Sequence, residues 1–273
     1  MQLTLLISFF IIIISLIFKN LRIYLDKVMD IIFLTDNLRL NNDIMEYRRG
    51  ETEEFISIGE RNWHILLEEY GWGKMPKKWI TKLNKYNDTK YKNSLYGLLD
   101  CEPDGNCLFH CISQTLNERD ILNGCYYNSD DIRNMISDNI CEEQYDMIIN
   151  YYRIMKDADD FDEDWDPYSI KSIDDFKAKI KSSGHEYWGD YLLLQILIKS
   201  LNLNIFVLNS DSYTNNYSIY NTLNDYKPEN DSIFLLYENN CHFKLIGHFH
   251  KKMTSYFTKN TIPTELKKLF NLD

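Results

Sequence analysis

No basic stripe runs through the 273 residues of this chain, and its formal net charge is −11. That balance argues against a nucleic-acid partner. Cysteine is sparse. Six are too few at this length for a dense disulfide framework, and they suit a reducing compartment. None is arranged in the Cys-x-x-Cys pair of a structural zinc site. Cys101, Cys107, His110, Cys111, Cys241 and His242 can be imagined as zinc ligands, yet their spacing supports none, so neither metal nor cofactor is expected. The acidic run from Asp157 to Asp166 lacks the glycine and terminal glutamate of an EF-hand loop, which excludes calcium there. No internal repeat is apparent. The length permits a full core, and one domain plus an extension is the natural count.

The N-terminus differs from the rest. Leu3 to Phe18 is uncharged and mostly Leu, Ile and Phe, and Lys19, Arg22 and Lys27 follow it. Residues 1–22 read as a single membrane-anchoring segment, slightly short for a span. A cleaved signal peptide and a helix buried in the fold are the competing readings. No basic residue precedes the run and no Ala-x-Ala site follows it, which tells against the signal peptide. Positive charge only on the C-terminal side places the remainder in the cytosol. Residues 23–96 read as a polar, mostly helical extension. Trp63, Leu66, Leu67 and Tyr70 recur at helical spacing, Gly71-Trp72-Gly73 breaks the pattern, and Pro76 opens a second helix with Trp79, Ile80 and Leu83.

Chemistry concentrates in two distant segments. In Pro103-Asp104-Gly105-Asn106-Cys107-Leu108-Phe109-His110, the residues Asp104 to Asn106 are turn formers and helix caps. Cys107, Leu108, Cys111, Ile112 and Leu116 then recur at helical spacing. Cys107 therefore sits in the first turn of a helix, where the dipole and free N–H groups favour a thiolate. Those N–H groups, with those of Gly105 and Asn106, can form an oxyanion hole. Taken alone, the thiol reads as one more buried structural cysteine. The turn and the segment Cys241-His242-Phe243-Lys244-Leu245-Ile246 change that reading, because His242 at the lip of a strand supplies a base.

These residues resemble the ovarian-tumour (OTU) family of cysteine proteases, whose members carry Asp-Gly-Asn-Cys-Leu-Phe around the nucleophile. Tyr187-Trp188-Gly189-Asp190, the apolar helix after it and the strand Leu203–Leu208 look like the family's Trp-Gly helix and following strand. The resemblance covers roughly Leu98 to Phe249. It implies that Cys107 is the nucleophile, His242 the base, and Asp104 the acidic residue that shapes the turn. It implies hydrolysis of the isopeptide or peptide bond at the C-terminal glycine of ubiquitin or polyubiquitin. A catalytically weak ubiquitin-binding module and a thiol hydrolase for another ubiquitin-like modifier are the alternatives. Many relatives have Asp or Asn two residues after the histidine; here Lys244 stands there, and lysine accepts no hydrogen bond. Either another acceptor, such as Asn239, Asn240, a backbone carbonyl or a water, orients His242 or the ring is poorly held. The richness in Asn, Ile, Lys, Tyr and Asp fits an AT-rich genome, as in giant viruses and some protists.

Helices are expected over Asp130–Asn139, Glu142–Met155, Ile173–Ser182 and Asp190–Leu201. Strands are expected over Leu203–Leu208, Tyr217–Tyr220, Ile233–Tyr237 and Phe243–Phe249. The implied architecture is α+β, a papain-like OTU fold with a central mixed sheet packed between helices over 97–250. A short helix, Thr264–Phe270, falls within 251–273. His110 reads as structural, and His248 and His250 as solvent-facing. The acidic run reads as a solvated loop or as a rim steering an arginine-bearing substrate tail.

Overall fold

The computed structural model describes residues 31–87, 95–101, 104–161, 163–220 and 226–272. The apolar run Leu3–Phe18 lies outside them. Among the described residues, no helix is long and apolar enough to cross a membrane. The chain divides into two compact units, the first reaching Leu66 and taking in His250–Met253, the second comprising Leu67–Phe249 and the chain from Thr254 onward.

The first unit corrects the expectation of a mostly helical extension. Leu38-Arg39-Leu40-Asn41 and Ile44-Met45-Glu46-Tyr47 alternate with period two, the signature of strands with one buried face. They form β2 (Leu38–Asn41) and β3 (Ile44–Tyr47), flanked by β1 (Ile31–Phe33) and β4 (Ile56–Ser57), in the antiparallel order β1-β2-β3-β4. Asn42 and Asp43, both at positive φ, close the central hairpin, as two-residue hairpin turns require. Arg39 pairs with Glu46 directly across it at 2.7 Å. Among the described residues of this unit, α-helix is confined to α1 (Trp63–Leu66), one turn.

In the second unit, β5 (Trp72–Lys74), α2 (Lys77–Leu83) and β6 (Tyr96–Asp100) precede α3 (Cys107–Arg119). Helices α4 (Ser129–Asn139), α5 (Glu142–Asp157), α6 (Ile173–Lys181) and α7 (Tyr191–Leu201) follow. Strands β7 (Leu203–Asp211), β8 (Asn216–Ile219), β9 (Asp231–Glu238) and β10 (His242–His250), then α8 (Thr264–Phe270), complete it. Six strands lie in the order β5-β6-β10-β9-β7-β8. β7 and β9 run parallel and the other neighbours antiparallel, so the sheet is mixed. β5 and α2, read from sequence as extension, thus belong to the same unit as β6 and α3.

The sheet separates two cores. Ile205, Val207, Ile233, Leu235, Phe243 and Leu245 pack with helices α3 to α7. Phe206, Leu208, Phe234, Leu236 and Ile246 pack on the other side with Trp79 of α2 and Leu266 and Phe270 of α8. Alternate residues of one strand enter opposite cores, which is why the centres of β7 (Ile205–Leu208) and β9 (Ile233–Leu236) read as unbroken apolar runs. Local chemistry sets the helix starts: Asn128 with Asp131 and Ser172 with Asp175 form capping boxes for α4 and α6. Asp190 caps α7 by accepting the N–H groups of Leu192 and Leu193.

Candidate active site

The turn before α3 is built around one carboxylate and one glycine. Asp104 accepts the Asn106 backbone N–H at 2.9 Å and its side-chain amide at 3.0 Å, and His110 Nε2 lies 3.2 Å away. Partial burial works to raise its pKa, but these hydrogen bonds outweigh it and hold Asp104 at about 2. Gly105 has φ +82, and a Cβ there would lie 2.2 Å from the Gly184 carbonyl oxygen. Only glycine fits.

A buried arginine locks the turn from behind. Arg133 of α4 is fully buried and stacks over the Phe109 ring at 3.9 Å. Its guanidinium donates to Asn106 Oδ1 (2.9 and 2.6 Å) and to the carbonyls of Gly105 (3.3 Å), Ile180 (2.9 Å) and Tyr187 (2.9 Å). Burial without a contacting carboxylate pulls its pKa down to about 10.

Cys107 is the first residue of α3, and its thiol is buried. Burial pushes the thiol pKa up, while backbone N–H groups of Phe243 and Leu108 pull the other way. The Phe243 N–H donates to Sγ at 3.4 Å, so the second residue of β10 rests on the thiol. The residue before it is His242.

His242 is delivered by the turn joining β9 to β10. Asn239 and Asn240 both take positive φ there, a conformation asparagine tolerates. Their polar groups serve the turn: Asn239 Oδ1 accepts from Ser212, and the Asn240 carbonyl accepts from Tyr237. The orienter of His242 is Asp100 instead. Asp100 Oδ1 lies 2.9 Å from His242 Nε2. Lys244 Nζ is 3.1 Å from the other oxygen of the same carboxylate and 3.0 Å from Glu238. Partial burial works to raise the Asp100 pKa, but its bonds from His242 and Lys244 bring it below the usual carboxylate value. Nε2 faces the carboxylate, and a ring that donates there leaves Nδ1 able to accept. No hydrogen bond joins the imidazole to Sγ among the described residues.

A cysteine at a helix N-terminus, touched by the backbone of the strand whose first residue is a histidine paired with a carboxylate, offers the groups that nucleophilic thiol chemistry uses. The profile of the OTU-like cysteine proteases matches residues 102–249. The chain belongs to that family. Among solved structures, the chain is similar to an OTU domain in complex with ubiquitin, at 20% identity over 64% of this chain and 81% of that one, with TM-score 0.39. The Hazara virus OTU bound to ubiquitin is 16% identical over 57% of this chain and 82% of that one, with TM-score 0.35. An OTU deubiquitinase from Wolbachia pipientis wMel bound to ubiquitin is 13% identical over 59% and 100%, with TM-score 0.39. No curated protein matches.

The Trp-Gly segment packs on α3, the helix that begins at Cys107. A Cβ at Gly189 would lie 2.9 Å from the Phe109 ring and 3.0 Å from Leu108 Cβ. The acidic run is only partly solvated: Asp159 and Asp160 are exposed, while Phe161 and Trp165 enter the main core. Glu163 accepts from Trp165 Nε1 at 2.9 Å and from the Trp188 N–H at 3.3 Å, tying the run to the Trp-Gly segment. Asp162 lies outside the described residues. Of the expected oxyanion donors, the Asn106 N–H is already given to Asp104. His250 is exposed, but His248 packs against Tyr96 with centroids 4.8 Å apart.

Sequence reasoning missed Asp100 and Arg133. One signal for Asp100 was available, since Lys244 in the acceptor position means the acceptor lies elsewhere. Arg133 sits between Ile132 and the helical stripe ending at Ile136, so its burial also had a trace in the pattern.

Proposed function

We propose that this chain is a deubiquitinase that hydrolyses the isopeptide or peptide bond after the C-terminal glycine of ubiquitin. The observation that carries this reading is the join of Cys107 to the start of β10, with His242 held by Asp100. His242 Nδ1 takes the Sγ proton as sulfur attacks the carbonyl carbon. The oxyanion forms at the N-terminus of α3, where the Cys107 and Gly105 N–H groups serve as donors. The imidazolium returns its proton to the leaving amine, and the C–N bond breaks to leave a thioester. Water, deprotonated by the same imidazole, releases the free carboxylate and the thiol. Asp100 holds the ring in the tautomer that accepts at Nδ1, a role parallel to the aspartate of serine-protease triads. The exposed Asp159 and Asp160 steer the arginine-bearing tail of ubiquitin. The Leu3–Phe18 run tethers the chain to a membrane, with Lys19, Arg22 and Lys27 keeping the catalytic unit on the cytosolic side.

The test is incubation of the full chain with ubiquitin bearing a thiol-reactive C-terminal electrophile, beside Cys107→Ala. A Cys107-dependent adduct is expected. No adduct, with Cys107 still alkylated rapidly by iodoacetamide, would move the substrate to another ubiquitin-like modifier. No adduct and a sluggish thiol would leave a binding module.

A further inference from the structure

Lys244 occupies a position where relatives place an acceptor for the imidazole, and its own contacts suggest a different task. It lies directly opposite Asp100 in the β6–β10 pairing. Asp100 Oδ1 faces His242 and Oδ2 faces Lys244, so two donors fix both oxygens of one carboxylate. The Asp100 side chain is 59% exposed, whereas that of Lys244 is 16% exposed. An exposed carboxylate with one partner rotates freely and its ion pair is weak. A half-buried lysine anchored on the neighbouring strand supplies the missing constraint, and its anchor is Glu238 of β9 at 3.0 Å. Four side chains on three adjacent strands therefore form one chain of contacts, His242–Asp100–Lys244–Glu238, in which each carboxylate meets a nitrogen.

We infer that Lys244 is a positioning residue for the hydrolytic reaction, holding Asp100 so that Asp100 can orient His242, and that Glu238 cancels the charge Lys244 would otherwise impose on the imidazolium. This rests on the thiol-protease reading above. Among the described residues, the titratable groups facing Asp100 and Lys244 are His242 on β10, Glu238 on β9 and, beneath Asp100, the buried Cys111 of α3. Lys244 has two opposing effects. It fixes the carboxylate, which favours turnover. As a cation near His242, it disfavours protonation of the ring. Removing it should therefore slow turnover while making the imidazolium easier to form.

The experiment is the pH profile of kcat and KM for cleavage of a ubiquitin C-terminal fluorogenic conjugate by the full chain. Lys244→Met should lower kcat about tenfold with KM nearly unchanged, as expected for a misplaced base. Its acid limb should move up by about 0.5 pH unit, because a screened cation near the ring is gone. Glu238→Gln should move that limb the other way, since Lys244 is then unbalanced. A lysine acting only through its charge would move the limb and leave the plateau kcat at the wild-type value. In an Asp100→Ala background, Lys244→Asp should recover part of the lost kcat by placing an acceptor where relatives have one, while Lys244→Met should have no further effect. Wild-type kcat in Lys244→Met, or an acid limb fixed in both single variants, overturns the inference. The same profiles measured by iodoacetamide alkylation of Cys107 require no modifier. Shifted alkylation limbs without ubiquitin turnover by the wild type would uphold the positioning role while refuting the ubiquitin reading.

Discussion

Replacing Arg133 tests whether the nucleophile turn depends on a buried cation or on its geometry. The guanidinium serves four buried acceptors: Asn106 Oδ1 and the carbonyls of Gly105, Ile180 and Tyr187. Each acceptor left without a donor costs about 1.5 kcal/mol, or about 6 kcal/mol together. Against this, the guanidinium is itself uncomfortable. Burial pulls its pKa down to about 10, which corresponds to about 3 kcal/mol against the charged form. The difference leaves a net loss of about 3 kcal/mol, and for a unit of this size a fall in Tm of about 6–12 °C. Arg133→Lys separates charge from geometry, because an ammonium retains the charge but cannot reach four acceptors spread around a planar fork. It should destabilise the protein nearly as much as Arg133→Met. Labelling of Cys107 by the ubiquitin electrophile should slow about a hundredfold, since an ångström of misplacement has that effect. The assays are thermal unfolding and single-turnover labelling, run side by side. Arg133→Lys melting within about 2 °C of wild type and labelling at its rate would refute the reasoning.

Two further expectations follow from the same structure. Burial lifts Asp190 to about 6 despite bonds from Tyr152 and the N–H groups of Leu193 and Leu192. A carboxyl raised in the native state holds a proton there that the unfolded chain lacks between about pH 4 and 6, so stability falls as pH rises through that window. Asp190→Asn keeps a cap for α7 and should shrink this slope in urea unfolding at pH 4 to 7. Glu163, also raised by burial, sustains the remainder; an unchanged slope would contradict the assignment. Reversing the exposed charges of Asp159 and Asp160 to lysine should raise KM for the ubiquitin conjugate several-fold with kcat unchanged, and more so at low salt. An unaltered KM would remove these residues from substrate steering.

The nucleophile segment was legible in the sequence because its requirements are local. A positive-φ glycine, an Asx turn at Asp104 and a helix beginning at Cys107 are all dictated within a few residues. The helices α4, α6 and α7 were legible for the same reason, through caps and a 3.6-residue period. The first unit was misread although its alternation and its Asn42-Asp43 turn were present. Its strands are only two to four residues long, too short to stand out beside the apolar spacing of Trp63 to Tyr70. By itself, then, the sequence determined the turn before Cys107, the helix that begins there and the strand that carries His242, since each is marked by the few residues around it. Tertiary structure alone decided what holds them. The pairing of Asp100 with His242 depends on the β6–β10 register, and the Arg133 clamp on how α4 packs behind the turn. Both are contacts between residues far apart in the chain, and only the closed fold specifies them.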